Sequence, residues 1–204
     1  MAAAVLLIAA IPYLIGSIPF GLIVGSLFYN KDLRRSGSGN IGAMNALRTI
    51  GKAGAAAVLV LDAAKGIVPV AAALALSHDL RIGALVAAAA VLGHCFSPWL
   101  RFSGGKGVAT ALGALFALCW PAGVLAIAVW LAGALLTTYS SVGSIAANVS
   151  APFALWYFTR DPWVSGYGAF AALLILYTHR SNLRRLRAHQ EQGIPFLRRN
   201  GRGS

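Results

Sequence analysis

A lysine flanked by glycines is the residue of this sequence best suited to bind a phosphate. Lys106 lies in a Ser-Gly-Gly-Lys-Gly run between two apolar stretches. Glycines let the backbone approach an anion closely, and an ammonium group beside the start of a helix can hold a phosphate. The run is not a nucleotide-binding P-loop, because Leu100 stands where that motif has its first glycine and Gly107 where it has serine or threonine. We predict that Lys106 binds a phosphate together with the amides of Gly104 and Gly105; the alternative is a lysine that only anchors the chain at a membrane interface.

A second polar run, residues 36–48, is rich in glycine and in hydrogen-bond donors. Glycines let successive backbone N–H groups turn toward one anion, and an arginine offers a forked donor that suits phosphate. An ordinary turn between helices would explain the glycines and serines, but it does not explain the added Asn-x4-Asn-x2-Arg spacing. We predict substrate binding by Ser36, Ser38, Asn40, Asn45 and Arg48.

Four further candidates lie at or near the ends of other apolar stretches. Ser141, in a Tyr-Ser-Ser run, offers a hydroxyl donor. His179 and Asn182 are three residues apart, which places them on one helical face if the helix continues. His94 is a hydrogen-bonded core residue, a polar participant in the site or a general base. No carboxylate accompanies these histidines at a metal-ligand spacing, so we predict neither a metal nor a cofactor.

Two charged residues stand inside an apolar stretch. Asp62 and Lys65 are three residues apart, and ionisable groups at membrane depth usually pair or line a polar cavity. We expect an ion pair that fixes helix packing, with a direct part in the site as the alternative. Cys95 and Cys119 show no metal spacing, so we expect two small core residues rather than a disulfide.

The elements that position all these residues are predicted to be membrane helices. Of 204 residues, 58% are hydrophobic and only 11% are charged, whereas a soluble domain carries roughly 25% charged residues. Apolar backbone in lipid must satisfy its own hydrogen bonds, so each apolar stretch should be a helix. We predict an all-α polytopic integral membrane protein with seven transmembrane helices, the first kinked at Pro19. The predicted segments are 4–29, 53–77, 82–97, 107–119, 121–139, 142–159 and 163–179.

The basic residues predict how these helices are oriented. Fourteen of the seventeen lie in loop 30–52, loop 98–106 and the segment after residue 177. The positive-inside rule then places the N-terminus outside and the C-terminus in the cytoplasm, with every polar run on the cytoplasmic face. We expect one domain over residues 1–204, made of a core, 1–186, and a basic, flexible cytoplasmic tail, 187–204. The net charge of +12 is explained by topology and membrane lipid, and no aromatic-interleaved basic patch indicates a nucleic-acid partner.

The polar runs, taken in order, carry a family resemblance that extends from Ser17 to Leu186. They comprise Gly39-Asn40-Ile41-Gly42-Ala43 with Asn45 and Arg48, Gly93-His94, the run Gly104-Gly105-Lys106-Gly107-Val108-Ala109-Thr110, Tyr139-Ser140-Ser141 with Ser144, and His179-Arg180-x-Asn182. The chain resembles the bacterial acyl-phosphate:glycerol-3-phosphate acyltransferase (PlsY) family.

The resemblance implies a seven-helix enzyme of the bacterial inner (plasma) membrane, with its site facing the cytoplasm. It would transfer a fatty acyl group from acyl phosphate to the 1-hydroxyl of glycerol 3-phosphate, giving lysophosphatidic acid and inorganic phosphate at the entry to phospholipid synthesis. Lys106 would hold the leaving phosphate, Ser141 would add a donor, and His179 with Asn182 would orient the glycerol hydroxyls. The general base stays open among His179, His94 and a substrate phosphate oxygen.

Two other classes of protein compete with this interpretation. A membrane transporter for a small anion also places polar segments between apolar helices, but here all the polar runs fall on one predicted face and the sequence has no repeated halves. A purely structural membrane protein is the weaker alternative, because it does not explain several donor-rich loops.

Overall fold

The computed structural model describes residues 2–197, with side chains from Ile8 onward, and this part of the chain contains helices and turns but no strand. The helices follow one another with short connections, and single 3-10 turns occupy Leu33–Arg35 and Pro98–Leu100. The α-helices are α1 Ala2–Ser17, α2 Phe20–Tyr29, α3 Ala43–Thr49, α4 Gly51–Ser77, α5 Leu80–Cys95, α6 Val108–Leu118, α7 Trp120–Thr137, α8 Ser140–Thr159, α9 Pro162–Thr178 and α10 Arg180–Arg187.

The predicted all-helical membrane fold is confirmed. Among the described residues, four helical stretches are each long and apolar enough to cross a bilayer, and α6 and α9 are shorter apolar helices. The helix α8 has 20 residues but contains serines and Asn148, and it is not among those four stretches. The predicted count of seven spans therefore stays a prediction. The four long stretches are Ile8–Tyr29, Gly51–Ser77, Leu80–Leu100 and Trp120–Thr137.

The first apolar segment is broken rather than kinked. The helix α1 ends at Ser17 and α2 begins at Phe20, on the far side of Pro19. Proline has no N–H to continue the helical ladder, and its ring clashes with the preceding turn. Beyond the break, α2 packs against the polar run 36–48, where a Cβ atom on Gly21 would meet the Ile41 carbonyl oxygen.

Small residues allow the helices to pack closely in pairs. A Cβ atom built on Gly16 would lie 2.1 Å from the Ala90 carbonyl oxygen, and one built on Gly66 would lie 2.1 Å from that of Thr110. Backbones approach this closely only where no side chain intervenes, as is common between membrane helices. Large apolar side chains face outward instead, and Leu136 is 85% exposed, as expected of a surface covered by lipid.

The segment that follows α10 turns back onto the helix ends. Ile194 is buried, and its N–H donates to the Thr138 carbonyl at 2.8 Å. The Arg48 side chain donates to the carbonyl oxygens of Gln192, at 3.0 Å, and Gly193, at 3.4 Å. The boundary between core and tail was predicted at residue 186, but Glu191, Gly193 and Ile194 are buried against the helix ends. Residues 198–204 of the predicted tail lie outside the described residues.

Candidate active site

An open pocket of about 480 Å³ lies where the polar loops meet at one end of the helices. Its walls come from residues 38–40, from the connection between α5 and α6, and from the junction of α9 with α10. None of its described lining residues is acidic. The lining includes four basic side chains, those of Lys106, Arg180, Arg184 and Arg185.

Lys106 lies at the inner wall of this pocket. Its ammonium group donates a hydrogen bond to Asn182 Oδ1. Burial lowers the pKa of the Lys106 ammonium to about 8; the charge of Glu191 offsets part of this effect, and those of Arg185 and Arg48 add to it. A bound phosphate would stabilise the protonated form, so this lysine is suited to hold an anion.

The two glycines before Lys106 do not offer their amides to the pocket. The Gly104 N–H donates to the Cys95 carbonyl and the Gly105 N–H to the His94 carbonyl, both at 3.0 Å. The prediction that these amides bind phosphate is wrong for that reason. The glycines are needed for close approach, because a Cβ atom on Gly105 would lie 2.1 Å from the His94 ring nitrogen Nε2.

His94 supports this loop from behind. Its ring is buried and does not line the pocket. Thr110 Oγ1 lies 3.3 Å from His94 Nδ1 and donates its own hydrogen to the Asp62 carbonyl at 2.9 Å. The Thr110 hydroxyl therefore connects the His94 ring to the backbone of α4. His94 was predicted to contact the substrate, but it lies behind the pocket and supports the Gly105 backbone instead.

Within the first polar run, only part of the predicted set reaches the pocket. Ser38 and Asn40 line it. Asn45 is buried, and its amide nitrogen donates to the carbonyls of Leu33, Ser36 and Asn40 at 2.7–3.0 Å. Its Oδ1 accepts from the Ser38 N–H at 2.7 Å. Asn45 therefore shapes the loop from inside, and Ser36 contributes a carbonyl to that bonding.

A carboxylate that sequence reasoning missed joins the remaining predicted residues. Glu191 Oε1 accepts hydrogen bonds from Ser141 Oγ at 2.8 Å and from Asn182 Nδ2, while Oε2 accepts from Arg185 Nε at 2.8 Å. Burial alone would raise the pKa of the Glu191 carboxyl, but these three hydrogen bonds outweigh it and lower the pKa. Asn182 thus connects Glu191 to Lys106. The available signal was a single acid within an arginine-rich segment.

His179 is buried at the end of α9, close to the lysine loop. The neighbouring Thr178 hydroxyl donates to the Lys106 carbonyl at 3.0 Å. His179 Nδ1 lies 2.9 Å from the Ile175 carbonyl oxygen, which can only accept, so Nδ1 carries the hydrogen. Nε2 is left with a free lone pair, which is the form that can accept a proton.

Hydrogen bonds through Asn182 and Glu191 connect Lys106 to Ser141. Of the predicted residues with polar side chains, Ser38, Asn40 and Lys106 line the pocket, whereas Ser141, His179 and Asn182 are buried behind it. Arg48 points toward the segment 192–193 and does not line the pocket. The described part of the chain holds no group of three or more His, Cys, Asp or Glu side chains suited to a metal ion. Apolar helices that end in a strongly basic pocket define an integral membrane protein that binds phosphate-bearing molecules.

Comparison with known proteins makes this class specific. A family model described as glycerol-3-phosphate acyltransferase matches residues 6–189. A glycerol-3-phosphate acyltransferase of Rhodopseudomonas palustris (strain BisB5) is 45% identical over 182 residues, which cover 89% of this chain and 92% of that protein. The corresponding protein of Nitrobacter winogradskyi is 46% identical over 187 residues, which cover 91% and 93%. This chain belongs to the glycerol-3-phosphate acyltransferase family.

Two solved structures of PlsY, an integral membrane glycerol 3-phosphate acyltransferase, share the fold. The glycerol 3-phosphate form has a TM-score of 0.89 and 36% identity, over 95% of this chain and 97% of that one. The lysophosphatidic acid form has a TM-score of 0.86 and 35% identity, over 93% and 95%. The protein is therefore a membrane enzyme that transfers an acyl group to glycerol 3-phosphate. The predicted family and the predicted acyl transfer to glycerol 3-phosphate are confirmed, and the transporter alternative receives no support.

Proposed function

We propose that the acyl donor is an acyl phosphate and that the acyl group goes to the 1-hydroxyl of glycerol 3-phosphate. The products are then lysophosphatidic acid and inorganic phosphate. The observation that carries this proposal is a pocket whose described lining residues include four basic side chains and no acidic one. Both reactants would bring a phosphate, and like charges in one pocket repel unless cations neutralise them.

An acyl phosphate also explains why the site needs no covalent nucleophile. The donor is a mixed anhydride, so its carbonyl is already activated and phosphate is already a good leaving group. The enzyme then has to hold the two reactants together and orient a hydroxyl toward the carbonyl carbon. Ser38, Ser103 and Ser181 line the pocket, and each serves as a hydrogen-bond donor in this proposal.

The transfer is a single displacement in which atoms and charges balance. The glycerol hydroxyl oxygen attacks the carbonyl carbon, and the bond from that carbon to the phosphate oxygen breaks. The electron pair leaves with the phosphate, whose added charge Lys106 neutralises. The hydroxyl proton goes to His179 Nε2 or to a phosphate oxygen of the substrate; a good leaving group lowers the need for a strong base.

The other predicted residues act on the substrates indirectly, by positioning the residues that contact them. Asn182 holds Lys106 directly, Glu191 and Ser141 hold Asn182 in turn, and Asn45 shapes the loop that presents Ser38 and Asn40. The residues that we propose to act indirectly are Ser36, through its backbone carbonyl, and Asn45, Arg48, His94, Ser141 and Asn182, through their side chains. Gly104 and Gly105 form part of the pocket wall.

The proposed topology has seven spanning helices, with α1 and α2 forming one broken span. The N-terminus lies outside, the C-terminus lies in the cytoplasm, and the site faces the cytoplasm from the bacterial inner membrane. What supports this arrangement is that loop 30–42, the α5–α6 loop, the α7–α8 turn and the segment after α9 all belong to one end, where they carry most of the basic residues. Membrane lipid surrounds the apolar helices.

The experiment compares acyl donors with the purified protein in detergent or lipid nanodiscs. Wild-type protein and Lys106→Ala are each given glycerol 3-phosphate with palmitoyl phosphate or with palmitoyl-CoA, and lysophosphatidate and phosphate are measured. We expect equal amounts of both products from palmitoyl phosphate, none from palmitoyl-CoA, and a loss of at least about a hundredfold in Lys106→Ala. Product from palmitoyl-CoA alone would overturn the proposed donor.

A further inference from the structure

A buried ion pair inside α4 has no part in the reaction described above. Asp62 and Lys65 are 2% and 3% exposed, and Lys65 Nζ lies 2.8 Å from Asp62 Oδ1. Burying two charges is costly, and pairing alone often fails to recover that cost. The additional contacts of the two side chains therefore indicate what the pair does.

The Lys65 ammonium group sits at the break between α1 and α2. It donates to the Ile18 carbonyl at 2.8 Å and lies 5.6 Å from the centroid of the Phe20 ring. The same carbonyl also accepts from the Phe20 N–H at 3.0 Å. Lys65 thus contacts both residues that flank Pro19, one by a charge-assisted hydrogen bond and the other through the face of its ring.

Donors from the α5–α6 connection reach the same break. Ser97 Oγ donates to the Ser17 carbonyl at 2.7 Å, and Trp99 Nε1 donates to Ser17 Oγ at 2.8 Å. That connection continues directly into the loop that carries Lys106. The break is therefore held from two sides, by α4 and by the chain that leads to the pocket.

On its far side, the break determines where the first polar run lies. A Cβ atom on Gly21, in the first turn of α2, would lie 1.7 Å from the Ile41 carbonyl oxygen. The backbones of α2 and of the loop are thus in direct contact. Because Ile41 immediately follows Asn40 in the pocket wall, the direction of α2 sets the position of that wall.

Asp62 extends the same support to the second pocket loop. Its carbonyl accepts from Thr110, and its carboxylate oxygen Oδ1 lies 3.7 Å from His94 Nδ1. Gly105 packs against the His94 ring, and its N–H donates to the His94 carbonyl. Lys65 therefore supports the loop that contains Asn40, and Asp62 supports the loop that contains Lys106.

We propose that Lys65 and Asp62 are positioning residues that fix the spacing between the two pocket loops, Lys65 through the α1–α2 break and Asp62 through His94. The family shows that glycerol 3-phosphate is the acceptor, and its binding at the wall of Ser38 and Asn40 is part of this inference. The effect on the donor rests on the proposed function, because only that function assigns the leaving phosphate to Lys106.

The test is the double variant Asp62→Asn/Lys65→Met, which removes both charges and leaves no buried ion unpaired. Initial rates, the affinity for glycerol 3-phosphate by calorimetry without a donor, and the melting temperature in detergent are compared with wild type. We expect a folded protein whose KM and Kd for glycerol 3-phosphate rise about tenfold, the scale of one lost hydrogen bond to a charged group, while kcat changes less. A folded double variant with KM and Kd within about twofold of wild type would overturn the proposal.

Two further variants keep the test decisive. The matched control is Asn148→Leu, since this buried amide donates only within its own helix, to the Ser144 carbonyl at 2.9 Å; its KM should stay unchanged. If the double variant does not fold, Trp99→Phe removes a single donor from the break and should raise the same KM by a smaller factor. An unchanged KM in Trp99→Phe then counts against the proposal.

The calorimetric measurement separates this inference from the proposed donor. It needs neither acyl phosphate nor turnover. Wild-type protein that binds glycerol 3-phosphate but makes no product from acyl phosphate would refute the donor alone. Wild-type protein that makes product, beside a double variant of unchanged affinity, would refute the positioning role alone.

Discussion

Acyl transfer by this enzyme should lose efficiency as the pH rises through about 8, the pKa to which burial lowers the Lys106 ammonium. If the protonated form binds the leaving phosphate, activity is present below this pKa and is lost above it. With a pKa of about 8, about nine tenths of the free enzyme carries the charge at pH 7 and about one tenth at pH 9. The ratio kcat/KM should therefore fall about tenfold over that interval.

The assay measures lysophosphatidate at low substrate concentration from pH 6.5 to 9.5, with a blank that corrects for uncatalysed hydrolysis of the acyl phosphate. At low substrate concentration the profile reports the pKa values of the free enzyme. The substrate phosphates, whose second pKa is about 6, are already ionised above pH 7.5 and do not contribute to the fall. Lys106→Arg is the matched control, because guanidinium does not titrate in this range. A flat wild-type profile, or the same alkaline fall in Lys106→Arg, would refute the reasoning.

Three further predictions concern residues that hold the site together. Replacing Glu191 with Gln should lower the free energy of unfolding by about 2 kcal/mol, since three donors lose a charged acceptor and one of them is partly exposed; denaturation in detergent measures this. Gly105→Ala should reduce kcat/KM at least about tenfold, because its methyl group would meet the His94 ring, whereas Gly166→Ala, with open space around it, should behave as wild type. Asn45→Ala should destabilise the protein by about 2–3 kcal/mol and raise the KM for glycerol 3-phosphate, because the loop loses its central amide.

Each of these predictions has an outcome that would contradict it. A Glu191→Gln variant with wild-type stability would mean that the carboxylate charge is dispensable. Equal activities for the two glycine variants would show that close approach at Gly105 is not required. Wild-type kinetics in Asn45→Ala would mean that the pocket wall keeps its shape without that side chain.

The apolar helices could be predicted from the sequence because membrane burial leaves a long apolar signal, whereas α3 lies in a stretch predicted as a loop. Pro19 predicted a kink in the first segment, and the structure has a break there instead. The pocket around Lys106 was also predictable, since glycine, lysine and a following apolar helix are local features. Ser38 and Asn40 line the pocket as predicted, and they too lie in a loop whose glycines and polar side chains are evident from the local sequence.

The direction of individual donors could not be predicted, because it depends on acceptors that are distant in sequence. Asn45 carries the right group for a phosphate, yet nearby carbonyls satisfy it first. The amide of Gly105 is likewise taken by a carbonyl of α5. Glu191 escaped notice because its function arises only when the chain folds back onto Ser141 and Asn182, which the sequence pattern does not encode.

The return of the chain after α10 also separates what the membrane needs from what the site needs. The Glu191 carboxylate contacts Asn182, which is the hydrogen-bond partner of Lys106, yet Glu191 lies beyond every apolar helix. Removal of this short return should therefore leave every apolar helix in place and still cost activity, because Asn182 loses the carboxylate that orients it.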